Sequence, residues 1–323
     1  MRFLKRLFRT AFHLALYVFV LLNGLLAFHA YKFTRYDPEQ KEKLTAEGLT
    51  TPAKVRAALM GVSLPRPENV TAPSDPFKEV VLNVNGGRVH CWWVPEDGAT
   101  ESVILFHGYG DSKSSMVDRA GAFRRMGYNT MLVDFTGSGQ SSGVVTTVGY
   151  KEAAEVRAAL DWVRANGGDS VHLFGMSLGA AAVLKAVNDG ARPTSVILEC
   201  PFATLLGAVQ NRFAMMDVPD MPLAQMLTFW GGVLHGFNAF KHNPEDYARG
   251  VRCPALLMWG EADDRVLRRE TDAIYAALGG PKTLVTFPGV GHENYLRADR
   301  EHWLRVVRAF LEHGPTKHSE PEG

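Results

Sequence analysis

Cysteine is scarce in this sequence, and so is any excess of charge. The 323 residues contain three cysteines, Cys91, Cys200 and Cys253, which lie far apart. They provide neither a disulfide framework nor the ligand spacing of a structural zinc site, so we interpret them as small, buried apolar residues. The formal net charge of +1 gives no reason to expect nucleic acid or a strongly acidic partner.

The N-terminus is the one region that departs from an ordinary globular composition. Basic residues among the first nine precede an apolar run of about 20 residues, which is long enough to cross a bilayer. A cleavable signal peptide has a shorter apolar region, roughly 7–15 residues, which ends in small residues. Phe28 and His29 stand where those small residues would be. The pattern therefore favours an uncleaved anchor.

We predict that residues 1–36 form a basic cytoplasmic end and a transmembrane signal anchor. More basic residues precede the apolar run than follow it, which leaves the N-terminus in the cytoplasm. The rest of the chain would then lie on the opposite side of the membrane, in a periplasmic, extracellular or lumenal space. The alternatives are a cleaved signal peptide and an amphipathic helix that lies in the membrane interface.

After the anchor, the chain divides into a linker, one large domain and a tail. Residues 37–77 are polar and interrupted by prolines, and we interpret them as a linker that tethers the domain to the membrane and wraps partly around the domain. Over residues 78–313, short apolar strands alternate with helical segments. This pattern predicts an α/β fold with a mostly parallel, eight-stranded sheet and helices on both faces. Residues 314–323 are polar and are expected to form a flexible tail.

The longest interval between predicted strands, residues 202–251, is rich in methionine and aromatic residues. Long ordered insertions at the edge of a sheet often serve as lids, and such side chains suit an adaptable apolar pocket. We therefore predict a helical lid. Its candidate pocket residues are Met215, Met216, Met226, Phe229 and Trp230. The alternative is that these side chains only pack the lid helices onto the body of the domain.

A G-x-S-x-G motif over residues 175–179 identifies Ser177 as the candidate nucleophile. The motif lies between an apolar strand and an Ala-rich helical segment. In that context it is a nucleophile elbow, whose glycines permit a turn tight enough to hold a serine hydroxyl over the sheet edge. Serine also needs a histidine base and a carboxylate that orients it. Asp263 and His292 follow Ser177 in that order, each on a loop after a predicted strand.

Two further assignments complete the candidate site. Glu199 competes with Asp263 as the acid because it also ends a predicted strand, but the G-x-x-D pattern around Asp263 favours Asp263. An acyl-transfer site also needs backbone N–H donors for the developing oxyanion. We expect one from Leu178, directly after the nucleophile, and one from Tyr109, in the loop after the strand over residues 102–106.

The Gly-rich segment over residues 134–141 lacks the lysine of a phosphate-binding loop, so we interpret it as a structural turn.

Together these motifs resemble the α/β-hydrolase superfamily. The matching segments are residues 107–108, 134–143, 175–179, 260–263 and 291–292, and the order serine, acid, histidine is that of the superfamily. Within it, residues 198–204 are similar to membrane-anchored alpha/beta-hydrolase-domain-containing serine hydrolases. The resemblance implies the α/β-hydrolase fold over residues 79–313 and hydrolysis of ester or thioester bonds in acyl substrates, with no cofactor and no metal.

The sequence therefore predicts a serine hydrolase that works through an acyl-enzyme on apolar acyl or lipid substrates near a membrane. Its expected partners are a small acyl ester or lipid and, through the N-terminal helix, the membrane. A serine peptidase or amidase is an alternative because the same triad serves it. A non-catalytic binding protein on this fold is a further alternative, which the complete Ser, Asp and His set disfavours.

Overall fold

The N-terminal third of the chain begins with one long helix. In this computed structural model, which describes residues 2–41, 56, 60–168 and 170–314, helix α1 spans Arg2–Phe33. Strand β1 (Tyr36–Asp37) follows it and pairs in parallel with β2 (Leu64–Pro65). The predicted tail beyond residue 314 lies outside the described residues, as do linker residues 42–55 and 57–59.

The predicted eight-stranded, mostly parallel sheet is confirmed. Its strands are β3 (Lys78–Val84), β4 (Gly87–Val94), β5 (Glu101–Phe106), β6 (Asn129–Val133), β7 (Ser170–Met176), β8 (Ser195–Glu199), β9 (Ala255–Gly260) and β10 (Lys282–Phe287). The spatial order is β10-β9-β8-β7-β5-β6-β4-β3. Strands β5 to β10 pair in parallel, and β4 is antiparallel to both β3 and β6. Strands β3 and β4 form a hairpin, in which Val84 lies opposite Gly87.

Helices cover both faces of the sheet. They are α2 (Val117–Arg124), α3 (Ala153–Gly167), α4 (Leu178–Asn188), α5 (Leu205–Met215), α6 (Leu223–His235), α7 (Pro244–Ala248), α8 (Arg268–Ala277), α9 (Tyr295–Ala298) and α10 (Arg300–His313). Side chains alternate between the faces of a strand. In β5, Ile104 faces α3 and α4, whereas Leu105 faces α2 and α10. Both faces of the sheet are buried, which explains why the sequences of the central strands are continuous apolar runs.

Helix α1 has two parts with different surroundings. Every residue from 3 to 21 is exposed, whereas the part over residues 22–33 packs against α5 and α6, which belong to the predicted lid. Leu26 and Ala30 are buried in this contact, and the Trp230 indole N–H donates to the Asn23 side-chain oxygen over 3.2 Å. By length and composition, the segment Phe3–Phe33 is able to span a membrane, and an 18-residue window within it has a mean hydropathy of 2.0.

The described part of the linker lies against the Gly-rich turn over residues 134–143. The Arg66 guanidinium donates to the carbonyls of Gly139 (3.2 Å) and Gly143 (2.7 Å). The Asn69 amide donates to Asp134 over 2.8 Å, and Asp134 also pairs with the fully buried Lys113. These contacts satisfy the carbonyls and the carboxylate of the turn, which agrees with a structural role for it.

A buried ion pair fastens two helices to the end of β8. Arg119 on α2 lies 2.5 Å from one carboxylate oxygen of Glu199, and the Trp303 indole N–H on α10 donates to the other over 2.7 Å. The side chains of Arg119 and Glu199 are almost completely buried. Removing one partner would leave an uncompensated charge in the interior, which costs much more than losing an exposed pair.

We expect Arg119→Met to lower the free energy of unfolding by about 3–5 kcal/mol, because it leaves the Glu199 carboxylate buried and unpaired. The double variant Arg119→Met/Glu199→Gln should recover part of that loss. Arg297→Met is the matched control, since Arg297 pairs with Asp118 on the exposed surface and should cost about 0–1 kcal/mol. Urea unfolding of the full chain measures all three. Similar losses at Arg119 and Arg297 would contradict the prediction.

Candidate active site

The backbone at Ser177 adopts a conformation that side-chain-bearing residues rarely take. Ser177 follows β7 directly and has φ 52° and ψ −112°. Its N–H donates to the carbonyl of Glu199 on the neighbouring strand over 2.8 Å. The next residue, Leu178, begins α4. This sharp strand-to-helix turn lifts the serine side chain clear of the sheet edge.

The two motif glycines are required by close backbone contacts. A Cβ on Gly175 would lie 2.6 Å from the backbone nitrogen of Ala180, on the helix side of the turn. A Cβ on Gly179 would lie 2.4 Å from the carbonyl oxygen of Phe106, at the end of β5. Both distances are below any real contact of a Cβ atom. The glycines therefore let α4 pack directly on the ends of β5 and β7.

The structure brings together the three residues that the sequence singles out for the triad. Ser177 Oγ lies 3.1 Å from His292 Nε2, and His292 Nδ1 lies 2.8 Å from Asp263 Oδ2. The other oxygen of Asp263 accepts the N–H groups of Arg265 (2.8 Å) and Val266 (2.9 Å). The two backbone N–H groups thus fix the carboxylate in an orientation in which its Oδ2 oxygen faces the imidazole. We assign the ring proton to Nδ1, which leaves Nε2 free to accept from the serine hydroxyl.

Two opposing effects act on the His292 imidazole. Burial alone would lower its pKa, but the neighbouring Cys200 thiol and Asp263 carboxylate outweigh burial and raise the pKa of His292 above its usual value. We attribute the shift mainly to Asp263, which hydrogen-bonds directly to the ring. This environment therefore stabilises the charged imidazole that forms when Nε2 takes a proton.

Cys200 is a component of the site that sequence reasoning missed. It directly follows β8, has φ 41° and is completely buried. Its sulfur and the nearest ligand atoms of Asp263 and His292 all lie within 4.8 Å of one another. A thiol, a carboxylate and an imidazole are the types of side chain that bind zinc. Here, however, the carboxylate and the imidazole are hydrogen-bonded to each other. The sequence contained one signal for this, which is that Cys200 directly follows the strand β8. The carboxyl ends of adjacent parallel strands meet at one edge of the sheet, so this position places Cys200 near the other residues of that edge.

The alternative acid, Glu199, lies elsewhere. Both of its oxygens are bonded, one to Arg119 and one to Trp303, on the face of the sheet that α2 and α10 cover. The structure places Asp263, and not Glu199, beside His292.

The loop over residues 107–111, which we call the oxyanion loop after the role predicted for Tyr109, lies against the elbow. A Cβ added to Gly108 would be in van der Waals contact with the Ser177 side chain. The Gly108 carbonyl accepts from His107 Nδ1 over 2.8 Å and from the Asp111 N–H over 3.3 Å. In a trans peptide the N–H and C=O point in opposite directions. The Tyr109 N–H of the same peptide therefore points away from these donors.

His107 has one defined tautomer because of its neighbours. Its Nε2 accepts the Phe135 N–H over 3.1 Å, so the ring proton must be on Nδ1, which donates to Gly108. Complete burial lowers the pKa of His107, against the smaller opposing effect of Asp134. A neutral ring of fixed tautomer thus orients the peptide that carries the Tyr109 N–H.

The predicted lid residues fall into two groups. Met226 and Trp230 pack against the apolar cluster that α1, α5 and α6 form together, and Met215, Met216 and Phe229 are 38%, 42% and 49% exposed. A substrate pocket formed by these five residues stays a prediction.

Comparison with known proteins gives the family to which this fold and this arrangement of Ser177, His292 and Asp263 belong. Residues 103–309 match the alpha/beta hydrolase family, and the chain belongs to it. This confirms the resemblance seen in the sequence. The match extends from β5 into α10 and includes the elbow, the Asp263 loop and the His292 loop.

Individual relatives agree with this assignment. An uncharacterized protein of Mycobacterium tuberculosis is 30% identical over 241 residues, which cover 72% of this chain and 78% of the relative. The protein YqkD of Bacillus subtilis is 23% identical over 240 residues, with the same two coverages. Among solved structures, the esterase Pf2001 of Pyrococcus furiosus has a TM-score of 0.64 at 22% identity, covering 77% of this chain and 98% of that one. Similarity at that identity shows a shared fold.

The two histidines next to the candidate nucleophile should titrate in opposite directions. We expect the pKa of His292 to lie above the ordinary value of 6.5 and that of His107 to lie below it. At pH 6.5, His292 is then mostly protonated and His107 mostly neutral. Nitrogen NMR of histidine-labelled protein over a pH series measures both, with His292→Gln and His107→Gln used for assignment. A His292 pKa below 6.5, or a protonated His107 at that pH, would contradict this interpretation.

Proposed function

We propose that this protein is a serine hydrolase that cleaves carboxylic ester or thioester bonds through an acyl-enzyme on Ser177. The observation that carries the proposal is the hydrogen-bonded line from Ser177 Oγ through His292 to Asp263, with distances of 3.1 and 2.8 Å. Membership of the alpha/beta hydrolase family supports the same class of reaction. The solved esterases of Pyrococcus furiosus and Exiguobacterium antarcticum, whose folds are similar to this one, agree with an ester as substrate.

In the proposed mechanism, His292 Nε2 takes the proton from Ser177 Oγ as the oxygen attacks the acyl carbon. Asp263 keeps the imidazole in the correct tautomer and stabilises its charged form. His292 then gives the proton to the leaving alcohol or thiol, which departs and leaves the acyl group on Ser177. His292 Nε2 next takes a proton from a water molecule as that water attacks the acyl carbon. It returns this proton to Ser177 Oγ as the bond between Oγ and the acyl carbon breaks, which releases the acid and restores the serine.

The negative charge that develops on the carbonyl oxygen would be stabilised by the N–H groups of Leu178 and Tyr109. Leu178 is the first residue of α4, so its N–H has no acceptor within that helix. In the described part of the chain, neither of these two N–H groups donates to a protein acceptor. Both therefore remain available to a substrate oxygen beside Ser177.

We further propose that the substrate is an apolar acyl ester or lipid at a membrane surface. The exposed part of α1, residues 3–21, is about 28 Å long at 1.5 Å per residue, close to the roughly 30 Å of a hydrocarbon core. The next turns of the helix pack on the lid, which itself exposes apolar side chains such as Phe229 and Val233. This arrangement would hold the triad within reach of lipids.

We expect Asp263→Asn to lower kcat by about 10⁴-fold because the imidazole would lose its orienting carboxylate. Ser177→Ala should abolish turnover. Asp264→Asn is the matched control: it makes the same change at the neighbouring, exposed position and should leave kcat within about twofold of the unchanged protein. Hydrolysis of p-nitrophenyl esters by the full chain in detergent measures all of them. Equal losses at Asp263 and Asp264 would argue against the assigned acid.

The same assay with acyl chains of 2 to 16 carbons tests the substrate class. We expect kcat/KM to increase with chain length beyond acetate, because an apolar site gains free energy from each buried methylene. A clear preference for acetate would exclude the lipid part of the proposal. Activity on peptide amides, with none on any ester, would indicate a peptidase.

The anchor is tested separately from the chemistry. We expect the full chain to stay with the membrane fraction after alkaline carbonate extraction, since α1 would span the bilayer. With the N-terminus in the cytoplasm, an impermeant maleimide should label Glu261→Cys but not Leu4→Cys when it is added outside intact membranes. Release by carbonate, or the reverse labelling pattern, would contradict the anchor or its orientation respectively.

A further inference from the structure

The residues at the end of α1 contact the oxyanion loop directly. The Tyr109 hydroxyl donates to the backbone carbonyl of Phe33, the last residue of α1, over 2.5 Å. The Gly110 N–H donates to the Tyr36 hydroxyl over 3.2 Å, and the Tyr36 and Tyr109 rings lie 6.2 Å apart. Two of the hydrogen bonds that fix this loop therefore come from residues more than 70 positions away in the chain.

Tyr36 is itself held firmly. It is 3% exposed, its N–H donates to the Val144 carbonyl over 2.7 Å, and it pairs with Leu64 in the short β1–β2 ladder. Its ring lies against Gly137, where an added Cβ would come within 2.9 Å of a ring carbon. Because Gly137 also has φ 86°, glycine is required there, and it leaves the space that the Tyr36 ring fills.

The Tyr36 hydroxyl is suited to act as a fixed acceptor. Burial raises its pKa, despite the opposing hydrogen bond from the Gly110 backbone, so the group stays neutral across the ordinary pH range. The Gly110 N–H is partly buried, so the loss of its acceptor favours a shift of this peptide toward another partner, such as water. The Gly110 peptide adjoins Tyr109, whose own N–H must keep its direction if it is to meet the oxyanion.

We propose that Tyr36 is a positioning residue for catalysis: with the Phe33 carbonyl, it holds the oxyanion loop in the geometry that directs the Tyr109 N–H at the reacting carbonyl. This inference rests on the proposed function. It makes the end of the N-terminal helix a part of the catalytic arrangement. The same helix is held to the lid by the Asn23–Trp230 hydrogen bond and by Leu26 and Ala30, so helix, lid and oxyanion loop form one connected unit.

The proposal predicts a specific kinetic pattern. The oxyanion forms only in the transition state, so a misdirected donor weakens transition-state binding and leaves ground-state binding almost unchanged. Tyr36→Phe removes the hydroxyl and keeps the ring against Gly137. We expect this variant to lose about 10-fold in kcat, with KM within about twofold, because one donor is misdirected rather than deleted. Tyr109→Phe removes the bond to Phe33 while it retains the backbone N–H, and it should show the same pattern.

The control is Tyr128→Phe. Tyr128 is half-buried directly before β6, at the opposite end of the sheet from Ser177, and packs its ring on His172. The Tyr128→Phe variant should leave kcat and KM unchanged.

Affinity for a boronic acid, which mimics the tetrahedral oxyanion, should decrease in Tyr36→Phe by the same factor as kcat. A purely structural role would instead lower the melting temperature and leave the affinity of the folded fraction for the boronic acid intact.

Hydrogen exchange separates failure of this inference from failure of the proposed function. In full-length protein, the amides of residues 108–111 should exchange faster in Tyr36→Phe than in Tyr128→Phe, whatever the substrate is. Faster exchange together with the selective loss of kcat would support the proposal. Unchanged exchange and unchanged kcat, in protein whose activity Ser177→Ala abolishes, would overturn it. If the unaltered protein hydrolyses no ester, the proposed function fails. In that case, unchanged amide exchange of residues 108–111 in Tyr36→Phe would still show that Tyr36 does not hold the loop.

Discussion

The backbone conformation of Ser177 is the constraint on which the rest of the site depends. A non-glycine residue at φ 52° is strained, and it persists only where the surroundings leave no alternative. Here the surroundings are β7 on one side, α4 on the other and the Glu199 carbonyl that accepts the Ser177 N–H. Gly175 and Gly179 permit this close packing. The turn places the hydroxyl at the sheet edge, where the loops after β9 and β10 bring Asp263 and His292.

Much of the site can be predicted from the sequence because strand ends determine it. The apolar runs over β5 to β10 identify parallel strands, and side chains that follow parallel strands meet at one edge. Ser177, Asp263 and His292 each follow such a run, which is why pattern and order were enough to group them. The preference for Asp263 over Glu199 needed the G-x-x-D pattern. The structure adds a physical reason: Glu199 already neutralises Arg119 on the other face of the sheet.

What could not be predicted depends on contacts between distant segments. Cys200 looked like an ordinary core cysteine because strand pattern does not show which side chain turns toward a neighbouring loop. Composition places Met226 and Trp230 in a substrate pocket, which stays a prediction, but it does not show that Trp230 donates to Asn23 on α1, some 200 residues earlier. Tyr36 carried no local signal at all. Its proposed role depends on a hydrogen bond from Gly110, which lies 74 positions later in the chain, and on the space beside Gly137 that its ring fills. A local sequence pattern shows neither of these contacts.

The path of the chain after α1 also changes how the link to the membrane is understood. A polar linker over residues 37–77 suggested a tether between anchor and domain, yet Phe33 and Tyr36 already touch the oxyanion loop before that linker begins. The helix therefore joins the domain within about three residues, and its packed turns are fixed to the lid. A helix fixed at two points is stiff, whereas a tether of some 40 polar residues would let the domain rotate freely. In a membrane-spanning α1, the tilt of the helix would thus set the direction in which the triad faces. The same contacts that orient the oxyanion loop would orient the whole active site relative to the bilayer.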